Sequence, residues 1–133
     1  MNTVANLKDI IFYQNQTGNV KIEVLYDNEN FWLTQKSMAE LFSVKVNTIN
    51  YHLKEVFSSG ELNEDSVIRK IRITANDGKK YNTNVYSLDA IIAVGYRVNS
   101  YEATQFRIWA TNTLKEYIKK GFVVNTEMLK NGP

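Results

Sequence analysis

Cysteine is absent, and histidine occurs once, at His52. The chain therefore has no disulfide, no thiolate nucleophile and no zinc–sulfur site, and a relay of several histidines is excluded. The single proline stands at position 133, so no internal X–Pro bond fixes a turn. No run of about 18 apolar residues is present to span a membrane. The stretch from Met1 to Asp9 lacks both the basic start and the apolar core of a secretory signal, so the cytoplasm is the expected location. Neither a phosphate-binding glycine loop nor a nucleophile elbow occurs. No catalysis, cofactor or metal site is expected.

What is present is ordinary for a globular domain. The 133 residues are 44% hydrophobic and 23% charged, which fits one domain with short appendages. Net charge is +2, too small an excess to argue for nucleic-acid binding without regard to where the charge sits.

Period-two alternation of Val20, Ile22 and Val24 with Lys21 and Glu23 predicts a half-buried strand. A turn at Gly18 joins it to Ile10–Tyr13 as a hairpin, and Asp27–Asn30 is a second turn leading to Phe31–Leu33. The period then changes. Thr34 is placed to cap a helix over Gln35–Phe42, with Leu33 and Met38 spaced as a hydrophobic staple. A second helix over Val46–Phe57 carries Ile49, Leu53 and Val56. Val67–Thr74 alternates again, with Val67, Arg69, Ile71 and Ile73 on one face and Lys70 and Arg72 on the other. Asn76-Asp77-Gly78 predicts a hairpin turn and Tyr81–Tyr86 the return strand. Ser87 is expected to cap a largely apolar helix over Leu88–Val98, and Ser100 a last helix that Gly121 ends. Phe122–Val124 is expected to be extended, with weak helix beyond it.

The segment from Thr34 to Leu53 carries the most specific local signal. Two short helices are joined by Ser43-Val44-Lys45, and the small Ala39 lets the second helix cross close. This is the spacing of a helix-turn-helix, whose second helix enters the major groove. The same pattern also fits a helical hairpin that merely packs. Ser43 stands where glycine is usual, at a left-handed position costing a non-glycine residue about 1–2 kcal/mol. Lys45 stands where a capping serine is common, and lysine cannot cap. Asn47, Asn50 and Tyr51 are the candidate base readers; Lys45, Thr48 and Lys54 are candidates for phosphates. The following hairpin sets Arg69, Lys70, Arg72, Lys79 and Lys80 against one acid, Asp77. A basic ribbon in that place is the layout of a wing lying on phosphates, although a solvated amphipathic hairpin would look alike. His52 reads as a partly buried packing residue. Glu61, Glu64 and Asp65 read as a solvated loop, and Arg97 and Arg107 as partners of carboxylates or helix ends.

Residues Ala90–Ser100, Gln105–Thr111 and Leu114–Phe122 strongly resemble the RhuM family of bacterial virulence-associated proteins. Trp32-Leu33-Thr34-Gln35 and Ala39-Glu40-Leu41-Phe42 match its opening. The resemblance implies DNA binding, a setting in pathogenicity islands or mobile elements, and a likeness to phage antirepressor domains. It also implies a further C-terminal region.

The expected fold is α+β: a winged-helix-like domain with an N-terminal β-hairpin, a helix-turn-helix, a basic β-hairpin wing and two C-terminal helices around Trp109. Residues 1–124 would form the DNA-binding domain and 125–133 a flexible end. The expected function is that of a transcriptional regulator or antirepressor-like factor acting on double-stranded DNA as a homodimer. A protein-interaction module of antirepressor type, binding a protein partner without reading DNA, is the alternative.

Overall fold

The computed structural model describes residues 10–15, 18, 20–74, 77–98 and 101–131, with side chains up to residue 116 except that of Ile73. The elements are β1 (Ile10–Gln14), β2 (Lys21–Asp27), β3 (Asn30–Leu33), α1 (Gln35–Phe42), α2 (Val46–Ser58), α3 (Glu64–Val67), β4 (Ile68–Thr74), β5 (Lys80–Ser87), α4 (Leu88–Val98) and α5 (Tyr101–Asn131). The fold is α+β. The sheet order is β1-β2-β3-β5-β4, every neighbouring pair antiparallel.

Local chemistry explains the sheet. Gly18 takes φ +80 in the β1–β2 turn, and the Asn15 carboxamide accepts a hydrogen bond there from the Val20 N–H at 3.1 Å. Asn28 and Glu29 both take positive φ, 55 and 57, so β2 and β3 join through a two-residue turn of the primed type, whose twist matches the strands. The alternation of β2 puts Ile22 and Val24 on the face covered by α1, α4 and α5. Phe31, Leu33, Met38, Leu41, Ile49, Leu53, Ile91, Val94 and Phe106 complete that core. Trp109 stacks on Phe31 with ring centroids 5.4 Å apart and meets the edge of Tyr13 at 5.0 Å. The opposite face of the sheet holds a smaller cluster of Leu25, Trp32, Ile71 and Val85.

Five local expectations need correction. Ser87 does not cap α4: it pairs with Trp32 inside the sheet and is buried, and its hydroxyl has no hydrogen-bond partner among the described residues. The Leu88 N–H donates instead to the Asn30 carboxamide oxygen, at 3.2 Å. Gly121 does not end the last helix, and Phe122–Val124 is not extended; α5 continues to Asn131. A mid-helix glycine costs about 1 kcal/mol against alanine, which weakens a helix without breaking it. Val67 ends the short helix α3 rather than opening a strand. The acidic loop is partly built: Asn63 caps α3, accepting from the Asp65 N–H at 2.9 Å. Ser100, the other expected cap, lies outside the described residues.

Candidate nucleic-acid interface

Helix α1 starts at Thr34, whose hydroxyl accepts from the Ser37 N–H at 3.0 Å. It buries Met38, Ala39, Leu41 and Phe42 and ends at Ser43, which adopts the left-handed conformation with φ 58 and ψ 45. The half-buried Val44 returns its N–H to the Ala39 carbonyl at 3.0 Å. Lys45 is extended and makes no side-chain cap, and its backbone carbonyl accepts the Thr48 and Ile49 amides. Helix α2 buries Ile49, Leu53 and Val56 on one stripe. Away from that stripe, Thr48, Asn50, His52 and Phe57 are half-buried and the remaining positions are exposed. Val46, Asn47, Tyr51 and Lys54 are exposed, Tyr51 by 59%.

Thr48 and Asn50 are only half exposed. The Asn50 oxygen faces the Gln35 amide at 3.5 Å, and that same amide donates to the Tyr86 hydroxyl at 2.9 Å. Gln35 and Tyr86 thus tie the start of α1 to α2 and to the base of the β4–β5 ribbon. Neither was a sequence candidate. Period two groups Tyr86 with the exposed Asn82 and Asn84, so its burial was not legible in β5, and nothing local linked it to Gln35. His52 is half-buried with its ring 5.3 Å from that of Tyr51, as a packing residue would be, and its Nδ1 is buried without a partner among the described residues.

Cross-strand register sorts the ribbon's cations. Ile68 lies opposite Tyr86, Lys70 opposite Asn84, Arg72 opposite Asn82 and Thr74 opposite Lys80. Directly opposed residues share a face and alternate ones reverse it. Lys70, Arg72 and Lys80 therefore extend, exposed, the face on which Tyr86 meets α1. Arg69 is on the other face. It is ion-paired to Asp27, and its guanidinium lies 5.1 Å from the centre of the Trp32 ring. The structure thus gathers Lys70, Arg72 and Lys80 and sets Arg69 apart from them.

The ribbon's tip is organised by Asp77. One carboxylate oxygen accepts from the Lys79 N–H and the other from the Tyr81 hydroxyl, each at 2.9 Å. The Lys79 amide first, then the Tyr81 hydroxyl, holds the Asp77 carboxyl below its ordinary pKa. The bond to Asp77 raises that of Tyr81. Lys79 is exposed beside this turn.

The profile of the Virulence protein RhuM family matches residues 66–133, just over half of the chain. The chain belongs to the RhuM family. No curated protein and no solved structure matches it. The RhuM match takes in the β4–β5 ribbon, α4 and α5, while α1 and α2 precede it.

Within the RhuM segment, α4 and α5 approach closely at Gly95. A Cβ built there would sit 2.7 Å from the Ala103 Cβ and 3.3 Å from the Phe42 ring. Arg97 donates to Glu61 at 3.0 Å, joining the end of α4 to the loop after α2, as the carboxylate-partner expectation required. Arg107 is exposed on α5. Among the described residues, no helix of this RhuM protein is long and apolar enough to cross a membrane.

Proposed function

We propose that this RhuM protein binds double-stranded DNA, with α1–α2 acting as a helix-turn-helix and the β4–β5 ribbon as a wing. Its role is that of a regulator or antirepressor-like factor of a mobile element or pathogenicity island. One observation carries the reading: α2 keeps its Asn47–Tyr51–Lys54 side uncovered, and the ribbon turns Lys70, Arg72 and Lys80 towards the same helical layer. Asn47, Asn50 and Tyr51 meet base edges, and Lys45, Thr48, Lys54 and the ribbon cations hold phosphates. Arg69 contributes less than its neighbours, because Asp27 and Trp32 already engage it. Pairing as a homodimer would present two half-sites.

The test is salt dependence. Each neutralised phosphate contributes about 0.9 to the slope of log K against log salt. Lys79→Ala with Lys80→Ala should flatten that slope by about two and weaken all duplexes alike. An unchanged slope would remove the ribbon from the interface.

A second reading has its own observation. Tyr96 and Tyr101 are 73% and 67% exposed, far from the polar side of α2 in sequence, and tyrosine is favoured at protein interfaces. A chain that binds no duplex even at low salt would favour a protein partner over DNA.

A further inference from the structure

We infer that the β4–β5 ribbon reads base edges as well as holding phosphates, with Asn82 and Asn84 as its specificity residues. The inference rests on the DNA-binding reading above. Asparagine is depleted in strands, because its carboxamide competes locally for backbone groups and packs poorly on a pleated surface. Strand β5 nevertheless carries two, both exposed and two residues apart, hence on one face. Neither serves a turn or a helix cap, and neither side chain makes a hydrogen bond among the described residues. The opposite face of the same strand is built from ordinary strand formers, Tyr81, Thr83 and Val85.

Register then supplies the chemistry. Asn84 stands opposite Lys70 and Asn82 opposite Arg72, so one face presents two successive cation–carboxamide pairs, followed by Lys80 opposite Thr74. Opposed side chains in an antiparallel pair lie about 5 Å apart at Cβ, close enough to address neighbouring bases. Arginine or lysine suits the O6 and N7 acceptors of guanine, and asparagine can donate to N7 and accept from N6 of adenine. A two-stranded ribbon fits the major groove. A clamp that only neutralised phosphate would need the cations alone, and threonine at 82 and 84 would build a sounder strand.

The experiment compares the full chain with the double variant Asn82→Thr, Asn84→Thr. A preferred duplex is selected from a randomised library with the parent protein. Affinities for that duplex and for a scrambled one are then read by fluorescence anisotropy, and folding by thermal melting. Threonine favours strands, so the variant should melt no lower than the parent and keep its affinity for the scrambled duplex. Its preference for the selected duplex should fall by about five- to a hundredfold. A variant that keeps the parent's preference, or loses affinity for both duplexes equally, overturns the inference and leaves the DNA-binding reading standing. A parent that binds no duplex overturns both.

Discussion

Helices α2 and α4 are of similar length and make opposite use of their surfaces. Helix α4 buries Ala90, Ile91, Ala93, Val94 and Gly95 and touches the sheet, α1, α2 and α5. Helix α2 buries one stripe and exposes Val46, Asn47, Tyr51 and Lys54, and the ribbon exposes Lys70, Arg72, Lys80, Asn82 and Asn84 on one face. Substitutions should therefore cost stability at the packed surfaces and recognition at the open ones. The contrast holds between the exposed side chains of α2 and the buried ones of α4; the buried stripe of α2, Ile49, Leu53 and Val56, belongs with the latter.

The largest effect belongs to α4. Ile91→Ala should lower unfolding free energy by about 2–5 kcal/mol in denaturant titration, because a fully buried side chain leaves a cavity. Gly95→Ala should cost about 1–3 kcal/mol by overpacking against Ala103 and Phe42. A neutral result there would mean that α4 and α5 can part easily, and the contrast with α2 would weaken. Tyr51→Ala on α2 should leave stability within about 0.5 kcal/mol while reducing duplex affinity. A large stability loss at Tyr51 would break the comparison outright.

The smallest effect is local and depends on pH. The Asp77 carboxyl sits below its ordinary pKa, so its bonds to Lys79 and Tyr81 persist above the usual carboxylate range. They are lost as pH falls through the lowered value. The Lys79 amide resonance should follow that titration with a midpoint below that of a short unstructured peptide carrying the same turn. Equal midpoints would show that the tip is not organised by Asp77. Global stability should barely respond, since the group is fully exposed.

How much of this was legible beforehand varies by element. The bounds of α1 followed from Thr34 and the Met38–Phe42 stripe, and the left-handed Ser43 from the helix–turn–helix spacing. The opposite faces of Arg69 and Arg72 followed from period two alone. What escaped was long-range. Ser87 has a capping side chain in a capping place, but strand pairing with Trp32 takes it into the sheet. Its substitute, Asn30, stands 57 residues earlier at the start of β3, where nothing local hints at α4. The ion pair of Arg69 with Asp27 and the Gln35–Tyr86 bond likewise join residues that only the sheet order brings together. Gly121 misled because one residue's propensity was weighed against a helix running on beyond it.

The single carboxamide oxygen of Asn30 accepts both the Phe31 amide, at 2.8 Å, and the first amide of α4. One atom therefore fastens the early hairpins to the late helices. A fragment cut to begin at Ser66 would lose that acceptor along with β3, the inner neighbour of β5. The stretch that carries the family likeness should therefore be less stable alone than within the full chain, and fragments for dissection should retain the first strands.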